Sequence, residues 1–346
     1  MVRLGIIGCG NIGPVHAESI KAVRGAKLVG IAGRRPKPTK AFAKQFDCDA
    51  YTDYRALLKR DDLDAVCICT PSGTRAEIAK ACAKAGKHIL SEKPLDITTR
   101  RIDRIIKAAD EAGVILGCIL QNRFAEGPRQ LRKALDQGRF GKLVLGDAYI
   151  KWYRSQAYYD SGEWRGTWKL DGGGALMNQG IHQIDLLLWF MGPARSVRAQ
   201  MATVAHEGIE VEDIATLLIE FESGAKGVIE GSTAIWPGHP ARVEVHGTEG
   251  SAILEDGKLG FWQFKKRKPI DRKIEATFKS ESELGSGAGD PLSSLKIEGH
   301  RLQIQDFVRA INQGRAPAVD GREARRSVEL LEKIYQSART GRVVHL

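Results

Sequence analysis

The sequence predicts an α/β fold in two parts: a doubly wound parallel sheet over residues 1–121, then an α/β domain over residues 122–346 with a largely antiparallel, open-faced sheet. Three observations predict it. The chain has 346 residues, more than the roughly 250–300 at which one core stops growing. Its first third alternates near-continuous Val/Ile/Leu/Cys runs with helix-like segments, the pattern of strands buried on both faces between crossover helices. Beyond Gln121 the rhythm changes to apolar–polar alternation punctuated by hairpin signals, as antiparallel strands with one solvated face require.

In the first part, strands are expected at residues 2–7, 27–32, 65–70, 88–91 and 114–120, with a shorter one near Ala50. Helices over 76–85 and 98–112 end at Gly86 and Gly113, which supply the left-handed conformation of a helix stop. In the second part a helix over 127–137 leads to a long strand over 143–153, an aromatic-rich loop and a helix over 174–190. Strands over 214–222 and 225–233 flank the turn Ser223-Gly224, and further strands follow at 242–246, 251–254 and 259–264. Residues 281–294 read as a mobile loop, and helices over 298–312 and 322–338 close the chain.

Hydrophobic residues make up 42% and charged residues 27%, values of a soluble globular protein. No apolar run reaches the roughly 18 residues of a membrane span. Residue 2 enters a strand directly, which leaves no room for a signal peptide, and the six cysteines follow no zinc spacing, so a reducing cytoplasm is expected. Residues 1–121 carry 21 Lys+Arg against 13 Asp+Glu, so most of the net charge of +11 lies in the first part, as suits an anionic cofactor or substrate. No recognition motif accompanies that charge, and nucleic acid is not expected as a partner.

Gly8-Cys9-Gly10-Asn11-Ile12-Gly13 is a G-x-G-x-x-G between a strand and a helix, the turn that brings backbone and a helix N-terminus to a dinucleotide pyrophosphate. Such a sheet is of the Rossmann type. The second strand ends at Gly33-Arg34-Arg35 with no acid for a ribose hydroxyl; two arginines suit a 2′-phosphate, so NADP(H) is favoured and NAD(H) is the alternative. Thr70, Pro71 and Ser72 end the fourth strand and would line the same crevice. Glu92-Lys93-Pro94 ends the fifth, where a lysine reaches cofactor and substrate together.

Asp171 is followed by three glycines at 172–174, which remove every side chain at a helix entry, so that backbone or a ligand comes very close. On that helix Asn178, His182 and Asp185 are expected on one face, with His182 offering an imidazole suited to proton transfer near neutrality. His182 and Asp185 have the spacing of a ligand pair, but no third ligand stands near them in sequence, and no metal is expected. Lys265-Lys266-Arg267-Lys268 reads as a hairpin tip, and His300 as either a pocket edge or a surface cap.

Taken together, the G-x-G-x-x-G, Thr70-Pro71, Ala85-Gly86-Lys87-His88 leading into Glu92-Lys93-Pro94, Arg123-Phe124, and the glycine run through His182 and Asp185 resemble the glucose–fructose oxidoreductase, inositol dehydrogenase and rhizopine-catabolism (Gfo/Idh/MocA) family over nearly the whole chain. From Trp164 to Gln179 the likeness is strongest to UDP-N-acetylglucosaminuronate 3-dehydrogenases and related sugar 3-dehydrogenases. The resemblance implies hydride transfer between a nicotinamide and a secondary alcohol of a sugar or cyclitol, anionic in the case of an acidic sugar. It implies a homodimer or homotetramer built through the second sheet. By the same likeness Lys93 binds the reacting hydroxyl, His182 is the acid/base, and Asn178 orients substrate. Glu92, Gln121 and Asn122 would line nicotinamide and substrate, Trp164 and Arg165 would close over the cofactor, and Arg123, Tyr153 and Trp236 would face the sugar, with Trp152 as a further aromatic.

Three positions depart from the family pattern. Asn178 stands where aspartate is common, Arg75 replaces a common histidine and alters charge near the cofactor, and the acid after the second strand is missing. Two alternatives to a dehydrogenase remain on the same fold: a cofactor-sensing binding protein, and an enzyme that uses tightly bound cofactor for transient oxidation.

Overall fold

The computed structural model describes residues 1–278, 287–288 and 296–346. The loop expected over 281–294 lies outside the described residues except for Gly287 and Ala288. Backbone contacts divide the chain into two compact units, Met1–Gln121 with Ile297–Arg325, and Asn122–Lys296 with Arg326–Leu346.

The first unit holds strands β1 (Val2–Ile7), β2 (Ala26–Ala32), β3 (Asp49–Tyr51), β4 (Ala65–Ile68), β5 (His88–Ser91) and β6 (Leu116–Cys118). They form one parallel sheet in the order β3-β2-β1-β4-β5-β6. The order reverses between β1 and β4, and ligands of such sheets bind outside the strand ends at that point. All four residues of β4 are fully buried, which is why its sequence shows no polar alternation.

Residues 297–325, assigned from sequence to the second domain, pack with this first unit. The cause is a shared core: helix Glu298–Gln313 places Ile304, Phe307 and Val308 in one cluster with Leu4, Ile6, Ala17 and Leu90. Gln303 adds two hydrogen bonds, accepting from the Leu120 N–H (3.0 Å) and donating to the Cys118 carbonyl (2.6 Å).

The second unit holds β7 (Leu143–Lys151), β8 (Ala194–Ala202), β9 (Ile214–Phe221), β10 (Lys226–Ser232), β11 (Arg242–Gly247), β12 (Gly250–Glu255), β13 (Lys258–Phe264) and β14 (Val344–His345). Their order is β13-β12-β11-β7-β10-β9-β8-β14; β7 and β10 pair in parallel and the described neighbours otherwise run antiparallel. β8 escapes sequence reading because its inward register, Val197, Ala199 and Met201, holds one β-branched residue between the exposed Arg198 and Gln200. Lys265, Lys266, Arg267 and Lys268 are not a hairpin tip: they join β13 to the helix Pro269–Ala276, where Arg267 pairs with Glu275 at 2.6 Å.

The helix expected over 174–190 begins as a π-helical turn, Ala175–Gly180, and continues as the α-helix Ile181–Met191, packed on β7 and β11. Wider π turns recur at functional sites. Here the turn lies next to the glycine run, on the approach to His182.

Candidate active site

In the first unit the site is built around the carboxyl ends of β1, β4 and β5. The chain leaves β1 through Gly8, whose φ of +117° and 2.7 Å spacing between an added Cβ and the Cys69 carbonyl both demand glycine. At Gly10 an added Cβ would meet nothing within 4 Å, and Gly10 and Asn11 are exposed ahead of Ile12 and the helix Gly13–Lys21. Bare backbone at a helix N-terminus fits a pyrophosphate. Arg34 and Arg35 follow β2, both exposed, with Arg35 at the N-cap of the helix Pro36–Phe46.

Two turns beside this one are tied together. Thr70 and Pro71 are half-buried and Ser72 is buried, and the Thr74 hydroxyl donates to Thr70 Oγ1 at 2.9 Å. Arg75 is buried, not a free charge in the crevice: its Nε donates to the Thr70 carbonyl (3.0 Å), and its Nη1 to the carbonyls of Glu92 (2.9 Å) and Pro94. The guanidinium therefore joins the turn after β4 to the turn after β5.

Glu92 follows β5 and is buried, while Lys93 is half-buried and its peptide bond to Pro94 is cis. Glu92 Oε1 faces the Nε2 atoms of His16 (2.8 Å) and His300 (3.4 Å), and Oε2 accepts from the Lys93 N–H (3.1 Å). Burial opposes ionisation of Glu92, yet the bonds from His16 and His300 outweigh it and hold the carboxyl well below its usual range. Burial dominates at His16 and pushes its imidazole down despite Glu92. His300, 2% exposed, is thus not a surface cap. His16 escaped sequence reading; its signal is a histidine on the Ile12, His16, Ile20 stripe of an otherwise apolar helix face.

In the second unit the glycine run admits the protein's own groups. An added Cβ at Gly174 would collide with the Glu212 carbonyl, and one at Gly173 with the Tyr335 hydroxyl. The buried Glu212 carboxylate accepts from the N–H groups of Gly174 (3.0 Å) and Leu176 (2.9 Å) and from Tyr335 Oη (2.9 Å). Burial still leaves its pKa raised. Neither Glu212 nor Tyr335 carries a sequence signal, because each meets the run from far along the chain.

Asn178 and His182 are half-buried, whereas Asp185 is fully buried. Asp185 takes a two-pronged bond from Arg123, Nε to Oδ2 and Nη2 to Oδ1, each 2.7 Å, and a bond from Ser327 (3.1 Å). Asn122 and Arg123 are both buried, and Gln121, the last residue of the first unit's opening segment, is half-buried. Tyr153 and the exposed Trp236 stand edge to face with ring centroids 5.0 Å apart, while Trp152 is buried. Arg165 lies over the rings of Tyr158 (4.2 Å) and Trp164 (4.5 Å) and donates to Tyr158 Oη at 2.7 Å. The same hydroxyl accepts from Gln179 (2.7 Å), whose Oε1 accepts from buried Arg154 (3.1 Å). A continuous polar chain thus runs from Arg165 to Arg154, next to Asn178 in sequence.

A Rossmann sheet with an open phosphate turn and a lysine at a strand end, joined to an α/β unit with an eight-stranded sheet, defines a dinucleotide-dependent oxidoreductase. Residues 2–119 match the oxidoreductase family with an NAD-binding Rossmann fold, and residues 129–253 match the Gfo/Idh/MocA C-terminal domain. The chain belongs to the Gfo/Idh/MocA oxidoreductase family. The WlbA dehydrogenase of Bordetella pertussis, solved with NADH and UDP-GlcNAcA, is 32% identical with a TM-score of 0.90, covering 100% of this chain and 97% of that one. The myo-inositol 2-dehydrogenase of Thermotoga maritima is 28% identical over 95% of this chain and 94% of its own. The inositol 2-dehydrogenase of Rhizobium meliloti is 26% identical over 100% and 99%. Among the described residues no helix is long and apolar enough to cross a membrane. All six cysteines are described, and none forms a disulfide.

The buried cluster predicts an acid-side loss of stability. A histidine held below its ordinary value of about 6.5 contributes stability that is complete above that pH and is lost as pH falls through it. A depressed carboxyl contributes stability lost at lower pH still, as pH falls through its folded value. Urea unfolding should therefore show stability declining below about pH 6.5. His88, also pushed down by burial, acts in the same window, so the contribution of His16 is the part removed by His16→Asn. Identical pH profiles for both proteins would contradict the assignment.

Proposed function

We propose that the chain oxidises a secondary hydroxyl of an acidic or nucleotide-linked sugar, with UDP-N-acetylglucosaminuronate as the first substrate to try. The observation that carries the reading is Lys93 at the carboxyl end of β5, its peptide fixed, in a chain alike end to end with a dehydrogenase solved with UDP-GlcNAcA. The basic surplus of the first part and the Arg165-to-Arg154 chain support an anionic substrate.

The nicotinamide, when bound, supplies the hydride acceptor. Gly8, Gly10, Asn11, Ile12 and Gly13 would hold its pyrophosphate, with Thr70, Pro71, Ser72 and Gln121 beside it. In this reading the Lys93 ammonium stabilises the alkoxide that develops as the substrate O–H ionises. His182 takes that proton as general base, and the product is a ketone with a protonated imidazole. Asn178 accepts no proton and orients the substrate. Arg123, held by Asp185, acts as a support beneath the second-unit residues more than as a sugar ligand. Exposed Arg34 and Arg35 support NADP(H); the NADH held by the WlbA structure supports NAD(H).

Steady-state kinetics at the reduced-nicotinamide absorbance band tests the reading. Lys93→Ala and His182→Ala should each lower kcat by about 10²-fold or more, and full activity in both would sink it. With the native protein, kcat/KM should favour NADP+ over NAD+, with the preference lost in Arg34→Ala/Arg35→Ala; a native preference for NAD+ would reverse the cofactor choice.

We also propose a homodimer or homotetramer formed through the second sheet. Its outward face carries Leu218 at 62% exposure and Phe261 at 41%, in line with half-buried Tyr149, Val228 and Ile253. Size-exclusion chromatography with light scattering should give a multiple of 37.9 kDa that Leu218→Arg shifts toward a monomer. A native monomer would refute this assembly.

A further inference from the structure

We infer that His16 and His300 are positioning residues for Lys93: they clamp the Glu92 carboxylate so that its second oxygen fixes the Lys93 backbone. The inference rests on the reading of Lys93 as a catalytic lysine.

The peptide unit joining Glu92 to Lys93 is bound at both ends. Its carbonyl accepts from Arg75 Nη1 (2.9 Å) and its N–H donates to Glu92 Oε2 (3.1 Å). A peptide held through both polar groups cannot rotate without breaking a buried hydrogen bond. The second of those bonds depends on a side chain with several rotatable bonds, and it is Oε1 that stops the carboxylate from turning. His16 Nε2 holds it at 2.8 Å and His300 Nε2 at 3.4 Å, the two rings meeting edge to face at 5.4 Å. His16 comes from the helix after the phosphate turn, and His300 from the helix Glu298–Gln313, 208 residues away from Glu92. The late segment Ile297–Arg325 thus contributes to a site otherwise made of the first 121 residues.

The three ligand-type atoms lie within 4.8 Å of one another, which raises the question of a cation. The hydrogen-bonding pattern answers it. A metal on both Nε2 atoms would leave each Nδ1 protonated and in need of an acceptor. Both Nδ1 atoms are buried, and neither has a partner among the described residues. Neutral rings that donate from Nε2 leave only a bare Nδ1 acceptor, the less costly arrangement in an apolar pocket. The cluster is a hydrogen-bond clamp.

The test compares His300→Ala, His300→Gln and Lys93→Ala. In His300→Ala, kcat should fall about tenfold to a hundredfold while the cofactor dissociation constant, read by fluorescence, changes less than about twofold. Hydrogen–deuterium exchange should show the Lys93 amide at least about tenfold less protected. His300→Gln, which keeps an N–H donor of similar reach, should recover most of both. If the alanine variant does not fold, His300→Asn, polar but too short to reach Oε1, gives the same readings. An unchanged kcat and an equally protected amide in a folded His300 variant, with Lys93→Ala inactive, would overturn the clamp alone. Full activity of Lys93→Ala would instead overturn the reading of Lys93.

Discussion

One buried carboxylate, that of Glu92, ties together the elements around Lys93 in the first unit. An ionised carboxylate out of water is costly unless every lone pair finds a donor. Glu92 finds its donors in an early helix, in the next peptide of its own chain and in a helix near the other end of the sequence. Arg75, itself buried, brings a compensating positive charge to the carbonyls on either side of Lys93. Removing one partner would strand another, so the cluster is held as a set. Lys93, the residue proposed to meet the reacting hydroxyl, is held in this set through its backbone N–H.

The second unit uses the same device with different parts. Glu212, also buried, gathers the first N–H groups of the helix that carries Asn178 and His182, and Tyr335 closes over it. Gly173 and Gly174 are needed there because the Tyr335 ring and the Glu212 backbone occupy the space that side chains would take, while Gly172 supplies a φ of +85°. The backbone dipoles at the helix entry are thereby satisfied from within. In each unit a buried glutamate fixes backbone near a residue proposed to act on the reacting hydroxyl.

The parts of the fold legible in the sequence were those with a strong local period. β1, β4 and β5 are apolar runs bounded by turn residues, and the glycine turn after β1 has a fixed spacing. β8 was not legible, since Val197, Ala199 and Met201 on its inward face give only a weak alternation between charged neighbours. The same locality governed the site. Lys93 and His182 could be named because motifs surround them, whereas His16, Glu212 and Tyr335 act through partners distant in sequence. Arg75 and Arg123 read as charges available to ligands, yet both are bound to groups that sequence proximity does not reveal: three carbonyls for one, Asp185 for the other. The placement of residues 297–325 failed for that reason too, because only the packing of Phe307 and its neighbours shows which core they join.

The central claim is hydride removal from a carbon of an acidic nucleotide sugar. Its most direct test is isotopic: UDP-N-acetylglucosaminuronate carrying deuterium at the sugar C3 is incubated with the protein and oxidised cofactor, and the reduced cofactor is weighed by mass spectrometry. The account predicts one deuterium in the reduced nicotinamide and a 3-keto sugar in equal amount. Recovery of unlabelled cofactor with intact, fully deuterated sugar would contradict it.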